Sequence, residues 1–93
     1  MYETPYAVLE PDTPYPRPEI GSEITFVYEL NEGGEHAEVE VEIRQILFDL
    51  EGWAKVLGRT TRGNCATTVF FRHTEKKSGS FSGRIVISDE CSP

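Results

Sequence analysis

The segment "HAEVEVEIRQ" (residues 36–45) alternates between apolar and acidic side chains. Its apolar positions are Ala37, Val39, Val41 and Ile43, and its acidic positions are Glu38, Glu40 and Glu42. A period of two residues is typical of a strand with one buried face. We therefore predict a strand whose outer face carries a row of three carboxylates, spaced about 6.6 Å apart along the chain.

The preceding segment "EITFVYEL" (residues 23–30) has the same period, with Ile24, Phe26, Tyr28 and Leu30 on one face. Between the two segments, "NEGGEH" (residues 31–36) supplies Asn31, Gly33 and Gly34, which tolerate the positive φ of a tight turn. The two segments are predicted to pair as a hairpin. Its outer face then offers the glutamate row no cation, only Thr25, Val27 and Glu29.

The second half of the chain predicts further strands. "ILFDL" (residues 46–50) fits a strand or a single helical turn, and we favour the strand. "WAKVLGRTT" (53–61) and "CATTVFFRHT" (65–74) indicate a second hairpin, and "FSGRIVIS" (81–88) a last strand. Because closure removes exposed sheet edges, the expected fold is all-β, a small five-stranded antiparallel barrel of the SH3-like or OB-like kind.

Five of the six prolines lie between positions 5 and 18. Proline fixes its own φ and favours extended conformations in the residue before it, so we expect residues 1–20 to form an extended Pro-rich arm and residues 21–93 the barrel domain. Two positions are open for this arm. It lies in a groove of its own barrel, or it docks on another chain; the predicted anchors are Tyr2, Tyr6, Val8, Leu9 and Tyr15.

The charge is distributed unevenly along these 93 residues, whose formal net charge is −7. Residues 1–51 contain thirteen acidic and two basic residues, whereas residues 52–93 contain seven basic and three acidic ones. Such a chain is attracted to basic surfaces, and nucleic-acid binding is disfavoured unless the basic half forms a face of its own. With no long apolar run and no leader-like N-terminus, we expect a cytoplasmic, intracellular protein that does not bind membranes.

The cysteines and histidines give no motif for a metal site or a catalytic site. Cys65 and Cys91 are the two cysteines, and we favour reduced thiols over a disulfide because no secretion signal accompanies them. Neither CxxC nor HxxxH spacing occurs, and His36 and His73 are interpreted as polar surface residues. We expect no metal, no cofactor and no enzymatic activity.

The glutamate row is either a solvated outer face or a docking surface. Our leading hypothesis is a non-enzymatic protein–protein interaction module that docks on a basic surface of a larger partner. An accessory, inhibitory or assembly protein of viral origin would suit this physics, including one that blocks a nucleic-acid-binding site. The predicted partner-binding residues are Glu38, Glu40, Glu42, Glu29, Tyr6 and Tyr15.

The basic half supports an alternative. Aromatic and basic residues are interleaved there, as in small barrels that bind single strands. In this alternative the protein is a ligand-sensing barrel that binds a nucleotide or a short single strand through Trp53, Phe70, Arg72 and Arg84. Self-assembly is a further possibility, in which the basic hairpin of one copy meets the acidic hairpin of the next.

Overall fold

The computed structural model describes residues 6–10, 13–30, 34–73 and 82–91. These residues form six strands and no helix, so none of them belongs to a helix long and apolar enough to cross a membrane. The strands are β1 (Ala7–Val8), β2 (Glu23–Glu29), β3 (His36–Leu50), β4 (Trp53–Thr60), β5 (Cys65–Arg72) and β6 (Arg84–Cys91). Tyr2 and residues 31–33 of the predicted turn lie outside the described residues.

All strand pairs are antiparallel, and the sheet order is β1-β6-β5-β4-β3-β2. The sheet is nearly closed, because the segment after β1 reaches both of its edges. The backbone N–H of Leu9 donates to the carbonyl of Gly83 beside β6, and that of Glu10 donates to Val27 of β2. The predicted all-β antiparallel barrel is confirmed.

The predicted number of five strands is wrong, because the Pro-rich arm supplies the sixth. Residues 6–10 lie between Pro5 and Pro11 and contain no proline, so every backbone N–H of this stretch can donate a hydrogen bond. Ala7 pairs with Ile85, and Val8 pairs with Arg84. A two-residue strand is too short to produce a periodic signal in the sequence.

The core lies inside the barrel and includes two residues of the arm, Leu9 and Tyr15, which are 1% and 8% exposed. Tyr15 contacts the rings of Phe26 and Phe71 at centroid distances of 5.1 and 5.9 Å. Its hydroxyl hydrogen-bonds with the backbone of Val27, and burial raises its pKa. The arm therefore packs on its own barrel; its division from a separate barrel domain at residue 20 stays a prediction.

The first hairpin forms as predicted, and its register places Val27 opposite Glu38 and Thr25 opposite Glu40. β3 continues to Leu50, so the strand interpretation of residues 46–50 is confirmed and the helical turn is wrong. Two register shifts interrupt the pairing of β3 with β4, between Ile43 and Gln45 and between Ile46 and Phe48. Such bulges bend a long strand and allow a small sheet to curl.

The expectation of two reduced thiols is wrong, because Cys65 and Cys91 form a disulfide. Cys65 begins β5 and Cys91 ends β6, and the antiparallel register places the two residues directly opposite each other. The bond joins two strands at one end of the barrel.

Candidate functional site

Four of the glutamates on the outer face of the first hairpin form what we call the acidic ribbon: Glu23, Glu38, Glu40 and Glu42. Val41 and Ile43 point into the core and are fully buried, so the alternate residues of β3 point outward. Glu23 lies opposite Glu42, and residues opposite each other in an antiparallel pair share a face. The ribbon is thus a rigid, strand-borne set of carboxylates.

The carboxylates of the acidic ribbon repel one another. The pKa of Glu23 is raised, first by a hydrogen bond with Glu40 and then by the negative charge of Glu40, with smaller contributions from burial and from Glu42. Glu40 also accepts a hydrogen bond from the hydroxyl of Thr61 at 2.9 Å. Thr61 brings no positive charge, so this hydrogen bond stabilises the Glu40 carboxylate without neutralising it.

Compensation by cations is confined to one end of the ribbon. The guanidinium of Arg44 forms an ion pair with the Glu42 carboxylate, and Arg59 of β4 is opposite Glu42. Among the described residues, neither Glu38 nor Glu40 forms an ion pair. Of the three carboxylates predicted to lack a cation, only Glu38 and Glu40 therefore have no ion pair with a described residue, and Glu23 lies beside them.

An open pocket of about 290 Å³ adjoins the compensated end of the ribbon. Its lining mixes both charges with hydroxyl and amide groups: Glu23, Glu42, Arg44, Arg59, Thr60, Thr61 and Asn64. No three His, Cys, Asp or Glu side chains converge as metal ligands in the described part of the chain. This polar, charged lining is typical of a groove that is filled by solvent.

The other predicted partner-binding residues are not brought together. Glu29 continues the outer face of β2 and lies 3.9 Å from His36. Tyr6 is 56% exposed but lies next to Arg84 of β6, away from the ribbon. Tyr15 is a core residue, as expected if it anchors the arm on its own barrel, and its buried ring does not form an exposed surface with the ribbon. Both tyrosines lie next to prolines, so the local sequence could not predict that Tyr6 is exposed and Tyr15 is buried.

A second outer surface, which we call the aromatic–cation face, crosses four strands: Phe48 of β3, Lys55 of β4, Phe70 of β5 and Arg84 of β6 form one cross-strand row. Trp53 and Arg72 pair in the adjacent row. All four residues of the alternative prediction, Trp53, Phe70, Arg72 and Arg84, therefore share one face.

Aromatic contacts order this face. Trp53 stacks on Phe70 with a centroid distance of 4.7 Å and an interplanar angle of 10°. Phe48 contacts Phe70 at 5.9 Å, and the guanidinium of Arg72 lies 5.8 Å from the centre of the Trp53 ring. Phe48 was missed as a site residue because it lies in the apolar cluster of residues 46–50, in which the sequence does not distinguish outward from inward residues. Lys55 was missed as a site residue although it alternates with buried Ala54 and Val56.

A cluster of polar side chains, with Arg17 largely exposed and His73 nearly buried, ties the arm to the end of the barrel where β3 ends. Asp49 accepts a hydrogen bond from Arg17 of the arm at 2.9 Å and lies 2.7 Å from the Nε2 atom of His73. The side chain of His73 is 9% exposed, so its interpretation as a surface residue is wrong. The hydrogen bond with His73 is the largest cause of the lowered pKa of Asp49. Arg17, Asp49 and His73 lie far apart in the sequence, so their spacing could not predict this cluster.

Comparisons with family models, curated proteins and solved structures find no match to this chain. The acidic ribbon and the aromatic–cation face are therefore assessed by their own geometry and charge.

Proposed function

We propose that this protein is a non-enzymatic interaction module that docks its acidic ribbon on a basic surface of a larger partner protein. The observation that carries the proposal is the pair Glu38 and Glu40, exposed on a rigid strand without an ion pair to any described residue. A surface rich in Lys and Arg would supply the missing cations. It would also relieve the repulsion that raises the pKa of Glu23.

The regular spacing of the ribbon favours one kind of basic surface. Successive outward carboxylates on a strand lie about 6.6 Å apart, and a row of fixed negative charges can occupy sites that normally receive phosphates. A groove that binds nucleic acid is such a surface. An accessory or inhibitory role, in which this protein covers that groove, follows from the same electrostatics.

The intracellular location expected from the sequence stays a prediction. The disulfide between Cys65 and Cys91 argues against it, because structural disulfides are typical of oxidising compartments. The proposed docking does not depend on the compartment, since charge complementarity acts in either one.

The proposal is tested by affinity capture with two variants of equal charge. In the ribbon variant, Glu38→Gln, Glu40→Gln and Glu42→Gln change together. In the matched control, Glu19→Gln, Glu51→Gln and Glu90→Gln change together at exposed positions outside the ribbon. Each variant loses three negative charges. We expect the native chain and the matched control to retain the same basic protein, and the ribbon variant to lose it.

Ionic strength provides the second measurement. Interactions between exposed charges are screened as the Debye length falls from about 10 Å at 0.1 M salt to about 3 Å at 1 M. The captured protein should be released within that range. If the ribbon variant still retains the basic protein, or if salt does not weaken its retention by the native chain, the ribbon is merely a solvated face.

A further inference from the structure

The outer surface of β3 to β6 alternates ring and cation across the strands. The pairing places Phe48 opposite Lys55, Lys55 opposite Phe70, and Phe70 opposite Arg84. Neighbouring strands are about 4.8 Å apart, so the two cations of this row are separated by roughly 10 Å with a ring between them. The alternation is a property of the sheet and is not visible along any one strand.

The rings of this face remain accessible. Trp53 and Phe70 are half-buried although they stack on each other, and Phe48 is 37% exposed. Leu50, which pairs with Trp53 at the end of the hairpin, is 66% exposed. Aromatic surface that folding leaves open to solvent is unusual enough to indicate a binding role.

The local charge is positive although the whole chain is negative. The outward residues between Gln45 and Leu50 pair with outward residues of β4, which pair in turn with those of β5 and β6. This set of outward residues includes Lys55, Arg72 and Arg84 and no carboxylate. The nearby carboxylate of Asp49 already has Arg17 and His73 as partners. The basic half of the chain therefore forms a face of its own, which is the condition under which an acidic protein can meet phosphates.

We propose that the aromatic–cation face binds single-stranded nucleic acid. Unpaired bases stack on Trp53, Phe70 and Phe48, and the phosphates between them meet Lys55 and Arg84. A polymer that alternates flat rings with anionic groups matches a surface that alternates rings with cations. A duplex would present its phosphates but hide its base faces, and an acidic peptide would leave the rings without partners.

The test measures fluorescence anisotropy of a labelled 12-nucleotide oligothymidine at about 0.1 M salt, where a Debye length of about 10 Å screens the acidic ribbon from a ligand on the aromatic–cation face. We expect saturable binding, together with a change in the fluorescence of Trp53, the single tryptophan. Phe70→Leu keeps an apolar side chain but removes the stacking surface. It should weaken binding about 5-fold or more.

A pair of charge variants provides the matched control. Lys55→Gln removes a cation from the face, and Arg62→Gln removes one from the exposed turn between β4 and β5. For single strands the log–log slope of affinity against salt falls by about 0.7 for each phosphate that the protein no longer neutralises. Lys55→Gln should lower the slope by about that amount, and Arg62→Gln should leave it unchanged.

Three outcomes would overturn the proposal: no anisotropy change at about 0.1 M salt, equal binding of a duplex of the same length, or full competition by polyglutamate. The last would assign the face to an acidic protein instead. If Phe70→Leu fails to fold, the Lys55→Gln and Arg62→Gln pair decides alone. The acidic ribbon lies on β2 and on the part of β3 that pairs with β2, whereas Phe48 lies near the other end of β3. The Gln variant of the ribbon should therefore still bind the oligonucleotide, which separates this test from that of the proposed docking function.

Discussion

Gly58 shows how closely the strands of this barrel approach. It lies on the inner face of β4, opposite Ile43. A methyl group at this position would collide with the backbone carbonyl of Glu42 and lie 2.7 Å from a methyl carbon of Val41. The carbonyl belongs to the backbone of β3, so it cannot move aside without disturbing the sheet. Glycine is needed here for space, next to the register shift that bends β3.

Asp49 should make stability depend on acid pH. Its pKa is lowered chiefly by the hydrogen bond with His73 and also by Arg17. A carboxyl with a lowered folded-state pKa stabilises the fold above its unfolded value, about 3.9, and this contribution is lost as the pH falls through the folded value. Asp49→Asn should therefore lower Tm at pH 7 and flatten the decline of Tm below about pH 4.

The measurement for Asp49 is a series of thermal melts between pH 7 and about pH 2, followed by circular dichroism. Asp89→Asn, at an exposed position of β6, serves as the control and should keep the native pH profile. Glu23, whose pKa is raised, acts in the opposite sense, but it is present in every variant and cancels in the comparison. Parallel profiles for native protein and Asp49→Asn would contradict the assigned role.

At the scale of elements, alternation of apolar and polar residues predicted the strands that the structure shows from Glu23 onward. β1 could not be predicted, because two residues have no period and their strand state comes from pairing with β6. The register shifts of β3 were also beyond reach, since they depend on how the strand fits β4. The same holds for the disulfide, which requires the register of β5 against β6.

The candidate surfaces were predictable to different degrees. The exposed glutamates follow from the period of two, and the structure shows them on one face. Trp53 and Phe70 were correctly grouped with two arginines, because all of them occupy alternate positions of neighbouring strands. Tyr15 was predicted both as an anchor of the arm and as a partner-binding residue, because an aromatic residue among prolines can pack inward or outward with the same local sequence. The rings that Tyr15 touches come from distant strands.

Leu9 should hold the barrel closed, because it is 1% exposed and its segment hydrogen-bonds to both edges of the sheet. Leu9→Ala removes buried methyl groups from the core and should lower the free energy of unfolding by about 2–5 kcal/mol. Val8→Ala, in the same strand but half-buried, should cost clearly less. Urea unfolding of both variants measures the difference, and hydrogen exchange of the Leu9 and Glu10 amides, which donate to Gly83 and Val27, reports on closure.

Equal costs for Leu9→Ala and Val8→Ala would show that the arm is not part of the core. Unchanged hydrogen-exchange rates of the Leu9 and Glu10 amides in the variants would show the same. Either result would return the arm to the role of a segment that docks on another chain.

At the scale of the whole molecule, the two faces form an electrical dipole on a body of 40 × 33 × 25 Å. The acidic ribbon lies on β2 and β3, and the cations lie on β4 to β6. At physiological ionic strength the Debye length is about 8 Å, so each face acts on its own partner almost independently. At low salt the net charge of −7 works against every anionic ligand, and it favours basic partners.

The stability of the whole domain should depend on its redox environment. The disulfide links residues 26 positions apart, and closing a loop of that length contributes about 3–4 kcal/mol in the chain-entropy model. A domain of this size has a total free energy of unfolding of about 5–15 kcal/mol. Reduction, or the double change Cys65→Ser and Cys91→Ser, should lower the free energy of unfolding by about that 3–4 kcal/mol and move the urea midpoint accordingly.

The double variant is also the control for the reductant, because its urea midpoint should not respond to dithiothreitol. Thiol titration of native protein purified without reductant should find no free thiol until the chain is unfolded and reduced. Two reactive thiols in that protein, with one urea midpoint in the presence and absence of dithiothreitol, would contradict the bond. Formation of the disulfide after synthesis in an oxidising compartment, and its absence after synthesis in the cytoplasm, would show that the compartment sets the stability of this barrel.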